Sequence, residues 1–246
     1  ERHEQTPNRA VVYRIPWSLR RPLPQEPTRQ PFAMTLAYDP DDAVAHLRRA
    51  DKRLAKAIDA AGPFALRPRP MQSPFEALLR SIVYQQLSGK AAATIYSRVE
   101  ALLPKRRPSA WPQTILDLDE TTLRSAGLSR NKTAAAKDLA IKTLDGTVPT
   151  LRKLRTMSDE EIIQRLVTVR GIGVWTVQML LIFRLGRPDV LPLADLGIRK
   201  GFQRVYTLDR LPTADELADR GEAWRPFRSV ASWYLWRVLD QPGPLK

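Results

Sequence analysis

The stretch LVTVRGIGVWTVQMLLIFRLGRPDVLPLAD, from Leu166 to Asp195, constrains this chain more than any other. Just ahead of it, Ser158 and Glu161 have the spacing of a capping box, in which each side chain satisfies a backbone donor at a helix start. An apolar helix is expected from Val174 to about Leu185, stopped by Gly186 and Pro188. Between the two helices lies Val169-Arg170-Gly171-Ile172-Gly173. Glycines one residue apart let the backbone turn sharply and come close to a bulky group. The turn also opens a helix N-terminus, where unpaired N–H groups and the helix dipole favour an anion. The stretch therefore reads as helix–hairpin–helix with a phosphate seat at Gly171, Gly173 and Val174, beside Arg170. An ordinary interhelical turn would show the same glycines. A dinucleotide-binding loop fits less well, because it should follow a strand and the residues before Val169 are patterned as helix.

The phosphate reading gains from the charge of the whole chain. Its 246 residues carry a net charge of +14, with a pI near 10.5, an excess that fits an anionic polymer such as nucleic acid. Cys is absent, which excludes disulfides, thiolate zinc sites, thiol nucleophiles and iron–sulfur clusters. His3 and His46 are the only histidines, too few for His-based catalysis or a His-rich metal site. With no membrane-length apolar run and no signal-like start, the expectation is a soluble cytoplasmic protein, nucleoid-associated if its source is bacterial.

Residues 1–36 read as a basic Pro/Arg-rich arm, with one short strand conceivable at Val11–Ile15. From Asp39 to Gly62 the apolar residues Val44, Leu47, Leu54, Ala57 and Ile58 recur at helical spacing. Ser73, Pro74 and Glu76 mark the next helix start as cap, first position and capping-box partner. That helix runs out at Tyr84-Gln85-Gln86-Leu87, and Ser88 caps another. Several short helices fill 106–157, with Arg130 and Lys132 read as solvated or phosphate-facing. Helices are again expected from Leu196 to about Tyr206, from the Thr213–Glu216 capping box, and after Trp224-Arg225-Pro226. The fold class is all-α, in two helical lobes: 37–70 with 196–246, and 71–195.

VRGIGVWTV, followed by DLGIRKGF about twenty residues on, resembles the helix–hairpin–helix, Gly/Pro-rich-loop, Asp (HhH-GPD) superfamily of DNA glycosylases. Within that superfamily it is similar to the alkylated-base, 3-methyladenine branch. SIVYQQLSGKAAATI, LRSAGLSRNK and WRPFRSVASWYLW are further stretches similar to that branch. The resemblance implies excision of alkylated purines from double-stranded DNA by a monomer, leaving an abasic site. Asp195 matches the catalytic carboxylate of the family. Asp189 is the neighbouring acid that suits a bland cap or surface role. Gln86 matches the side chain that fills the base stack, with Leu87 as its competitor, although Gln85 and Gln86 could also serve helix-end carbonyls. Trp236 matches a base-stacking Trp, and Trp233 is read as core. Tyr84, Trp175 and Met179 complete the expected base pocket. Met179 stands where some relatives have an aromatic ring, which points to a wider pocket.

Relatives that also cleave the backbone carry Lys where this chain has Trp175, so no lyase activity is expected. No cofactor is required by this reading. A sodium or potassium ion on the hairpin carbonyls of Val167, Val169 and Ile172 is implied by the resemblance alone. Two other functions would account for parts of the same sequence pattern. A non-catalytic helix–hairpin–helix DNA binder would need the hairpin and the charge but not Asp195 or Trp236. A glycosylase for oxidised or deaminated bases is disfavoured by the missing Lys and the missing cluster cysteines.

Overall fold

The computed structural model describes residues 36–243, so the basic arm, its conceivable strand and His3 lie outside the described residues. Every regular element among the described residues is helical. The expected helical run from Asp39 to Gly62 is two helices, α1 (Pro40–Ala50) and α2 (Lys52–Ala61). The break falls at Asp51, for a tertiary reason. One carboxylate oxygen accepts the N–H groups of Arg53 and Leu54, both at 3.0 Å, and so caps α2. The other accepts the hydroxyl of Tyr206 and the indole of Trp224, the latter at 3.1 Å. A continuous helix would leave those two buried donors without an acceptor.

Next come α3 (Pro74–Tyr84) and α4 (Gly89–Ala101). Ser73 caps α3 through the Glu76 N–H at 3.1 Å, but Glu76 does not close the expected capping box. Its carboxylate reaches one residue further back, to the Gln72 N–H at 3.4 Å. The middle of the chain is α5 (Trp111–Asp117), α6 (Glu120–Ser125), α7 (Arg130–Leu144) and α8 (Leu151–Thr156). α9 (Asp159–Leu166) begins at the complete Ser158–Glu161 capping box, and α10 (Val174–Phe183) follows the hairpin. α10 ends at Phe183 rather than Leu185. The Leu185 N–H turns back to the Leu180 carbonyl at 3.0 Å, and Gly186 takes the left-handed conformation at φ +64°. The last helices are α11 (Leu196–Tyr206), α12 (Ala214–Glu222), which carries the Thr213–Glu216 capping box, and α13 (Arg228–Arg237).

α3 packs on α4 and α7, α7 also covers α5 and α6, and α9 lies along α10. α1, α2, α11 and α13 pack on one another at the other end of the core. α10 buries Thr176, Val177, Leu180, Leu181 and Ile182, as expected of a helix that is apolar nearly all round. α11 and α13 cross closely. A Cβ added to Gly201 would stand 1.9 Å from the Leu235 carbonyl oxygen, so only glycine lets the backbones approach this far. Leu235 directly precedes Trp236, and the crossing thereby fixes where that indole lies relative to the start of α11.

Candidate active site and nucleic-acid interface

Asp195 is the N-cap of α11 and is 4% exposed. Its Oδ1 accepts the Ile198 N–H at 2.8 Å and the Trp236 Nε1–H at 2.8 Å. Its Oδ2 accepts the Trp175 Nε1–H at 2.8 Å. The cap role that the sequence suggested for Asp189 falls to Asp195 instead. Here one oxygen carries the cap, and the carboxylate as a whole is gripped between two indoles. Indole N–H groups withdrawn from water need acceptors, and Asp195 supplies one to each of Trp175 and Trp236. Asp189 has another task. It forms ion pairs with Arg225 at 2.5 Å and Arg228 at 2.6 Å, fastening the loop before Asp195 to the start of α13.

Trp236 is 7% exposed and stacks on Phe183, with centroids 5.6 Å apart and an interplanar angle of 28°. One of its faces is thus covered by Phe183, a residue that sequence reading did not single out. Trp233 is half-buried and meets Phe64 edge-to-face at 5.0 Å. Met179 is half-buried on α10, one turn beyond Trp175. Tyr84 is also half-buried, with the Arg80 guanidinium 4.2 Å from its ring centroid and Tyr96 at 6.2 Å. Burial pushes the Tyr96 hydroxyl far above its ordinary value, so that group stays neutral.

The hairpin has its N–H groups disposed in two sets. Those of Arg170 and Ile172 are used internally, by the Asp138 carboxylate at 2.7 Å and the Val169 carbonyl at 3.0 Å. Those of Gly171, Gly173 and Val174 have no hydrogen-bond partner among the described residues, and α10 has no side-chain cap. Gly171, Gly173, Val174 and the Arg170 side chain are all exposed. Only Gly171 needs to be glycine for the turn, with φ at +77°. Gly173 has an ordinary φ of −99°, and an added Cβ would meet nothing within 4 Å. Nothing inside the protein therefore demands glycine at 173. An uncapped helix N-terminus with a bare approach is a seat for an anion that arrives from outside.

The turn after α3 lies beside this hairpin. Gln85 donates from Nε2 to the Gly171 carbonyl at 2.7 Å. Gln86 follows in the left-handed conformation, φ +57°, with its side chain exposed, and Leu87 is half-buried. Lys132 is neither solvated nor phosphate-facing, as its sequence context had implied. Its ammonium donates to the carbonyls of Val83 and Gln85, both at 2.7 Å, and closes the C-terminus of α3. Desolvation lowers its pKa. On the other side of the hairpin, the Lys142 ammonium bonds the Thr168 carbonyl and lies 2.9 Å from Asp138. The carbonyls of Val167 and Ile172 accept no hydrogen bond among the described residues, while that of Val169 receives Ile172.

A strongly basic chain, helical throughout its described residues, with an open helix N-terminus close to a carboxylate held by two indoles, has the parts that a DNA-repair protein of the base-excision type requires. The chain belongs to the HhH-GPD superfamily of base excision DNA repair proteins, whose family model matches residues 79–226. It is 38% identical to DNA-3-methyladenine glycosylase 1 of Schizosaccharomyces pombe, over 79% of this chain and 86% of that protein. Among solved structures, it is similar to S. pombe 3-methyladenine DNA glycosylase Mag1 in complex with abasic DNA, with a TM-score of 0.68 and 35% identity, covering 79% and 95% of the two chains. A DNA-3-methyladenine glycosidase of Bacillus halodurans superposes with a TM-score of 0.70 at 32% identity, covering 83% and 90%. No helix among the described residues is long and apolar enough to cross a membrane.

Proposed function

We propose that this protein is a monofunctional, monomeric DNA glycosylase that extrudes alkylated purines of the 3-methyladenine and 7-methylguanine type from duplex DNA and hydrolyses the bond between sugar and base. The observation that carries the reading is Asp195, buried and held by Trp175, Trp236 and the first turn of α11. When the C1′–N bond breaks, the electron pair leaves with the base and neutralises its positive charge. The sugar is left oxocarbenium-like, and a fixed carboxylate stabilises it without reorganising. Water then adds to C1′ and releases a proton, leaving an abasic site. An alkylated purine is already a good leaving group, so a strong general acid is unnecessary. A non-catalytic DNA binder would need the hairpin and the charge, and would use Asp195 only as a helix cap and indole acceptor, so base release separates the two readings.

Trp175 stands where an amine nucleophile would be needed, and its indole is committed to Asp195 at 2.8 Å. No Schiff base forms at that position, and the backbone is left intact. The N–H groups of Gly171, Gly173 and Val174 grip a phosphate whatever the sequence, as a scanning enzyme requires. Gln86 enters the stack when the nucleotide is extruded, offsetting the cost of unstacking, about a few kcal/mol. Trp236, Trp175, Met179 and Tyr84 supply the walls of the base pocket, and aromatic faces favour an electron-poor ring by about 0.5–2 kcal/mol. The carbonyls of Val167, Val169 and Ile172 are the groups that would hold a sodium or potassium ion. No other cofactor is called for.

The test is incubation with methylated duplex DNA, followed by chromatography of the released bases. Release of 3-methyladenine and 7-methylguanine, with the strand left unbroken, is the expected result. Release of oxidised or deaminated bases in their place, or of none by the folded protein, would overturn the proposal.

A further inference from the structure

We propose that Gln85 is a positioning residue that holds the stack-filling turn and the phosphate seat in one register, so that both engage DNA in a single event. The inference rests on the reading of Gln86 given above. Gln85 is gripped from two sides. Its carbonyl accepts the Lys132 ammonium and its amide donates to the Gly171 carbonyl, each at 2.7 Å. One residue onward, Gln86 takes the left-handed backbone, unfavourable for a residue with a Cβ, and presents an exposed side chain. At the other end of the bond, Gly171 is itself left-handed at φ +77°. It lies between Arg170 and Ile172, whose N–H groups are both tied down, and two residues before the open N–H of Gly173. A short rigid path therefore joins the tip of the turn to the phosphate seat.

This bond crosses 86 residues of sequence at the protein surface. An exposed hydrogen bond made by a long side chain adds little to stability once the entropy of ordering it is counted. What it does set is the distance between two loops that present to the same surface. A nucleotide is extruded only when the gap is filled and the flanking phosphate is held together. Loops free to shift against each other would meet those two demands separately, and misplacement on the order of 1 Å costs about a hundredfold in well-oriented reactions.

Gln85→Leu keeps the bulk and removes the donor. Gln85→Glu keeps the shape and turns an oxygen toward the Gly171 carbonyl. Single-turnover release from methylated duplex and methylated single strands would be measured, together with the fluorescence of 2-aminopurine beside an abasic analogue to report extrusion. Gln85→Leu is expected to slow duplex release and extrusion roughly fivefold, the worth of one neutral hydrogen bond. Rates on single strands and affinity for undamaged duplex should stay as in the wild type. Gln85→Glu should lose more. In a Gln86→Ala background, Gln85→Leu should cost nothing further, because no inserted side chain remains to be aligned. Equal losses on duplex and single strands, or additive losses in the double variant, would overturn the link. If Gln86→Ala loses on duplex alone while Gln85→Leu behaves as wild type, the link fails and the stack-filling role stands. If Gln86→Ala loses equally on both substrates, the stack-filling role falls and the link with it.

Discussion

Replacing Asp195 with Asn tests both the chemistry and the geometry around it. The carboxylate accepts three hydrogen bonds, two at Oδ1 and one at Oδ2. Asn is a good helix cap, so its oxygen is expected to keep the Ile198 N–H and the Trp236 indole. Its amide then faces the Trp175 indole, donor against donor. A half-buried hydrogen bond to a charged acceptor is lost, at about 1.5–3 kcal/mol. For a domain of this size that lowers Tm by roughly 3–12 °C. Base release should fall by about 10²–10³-fold or more, because the developing positive charge loses its fixed partner. Calorimetry, chromatography of released bases and binding to an abasic duplex would be measured on the same preparation. Adding Trp175→Phe removes the opposing donor, so the double variant should regain part of the lost Tm without regaining activity. The reasoning fails if Asp195→Asn keeps its Tm and releases bases at near the wild-type rate. It also fails if Trp175→Phe lowers Tm equally in both backgrounds, since the indole would then owe nothing to the carboxylate.

The two hairpin glycines should separate cleanly. Gly173→Val has an ordinary φ and open space to enter, so it should lose only the N-cap preference for glycine, roughly 1 kcal/mol or about 2–4 °C of Tm, while affinity for undamaged duplex drops by about tenfold or more as phosphate approach is blocked. Gly171→Ala must hold a left-handed backbone with its Cβ 3.5 Å from that of Ala135, and should lose about 1 kcal/mol or more in denaturant melts. Gly201→Ala drives a Cβ into the Leu235 carbonyl, at 1.9 Å before relaxation, and should cost about 3 kcal/mol or leave no folded protein, as calorimetry would show. Borohydride treatment during turnover should trap no protein–DNA adduct, and a covalent band on a denaturing gel would refute the water mechanism.

The linear order of residues determined the helices, because most of their ends are written in local chemistry. Ser158 with Glu161, and Thr213 with Glu216, form capping boxes at the predicted helix starts. The alternation of apolar faces and the near absence of strand signals led to the all-helical class, which every element among the described residues shares. The glycines of the hairpin and the run that follows them made the family recognisable. Where an end depended on distant partners, local chemistry was silent. Asp51 splits one helical pattern into two because Tyr206 and Trp224, far along the chain, need its second oxygen. Glu76 has the spacing of a box partner and bonds Gln72 instead.

Tertiary structure alone decided what the functional residues touch. Nothing in the sequence says which donors Asp195 meets, and only the arrival of two indoles from α10 and α13 lets one carboxylate cap a helix and be held at both oxygens. The approach of α13 to α11 hangs on Gly201, whose missing side chain has no signature until the facing carbonyl is in place. The roles of Lys132 and Gln85 were hidden for the same reason. A cation or an amide can be solvated, can meet a phosphate or can close a helix end, and the choice lies with carbonyls that the fold brings to it from elsewhere in the chain. Periodicity and capping are short-range and survive in the sequence, whereas the direction of a hydrogen bond across a crossing is set only once the helices have packed.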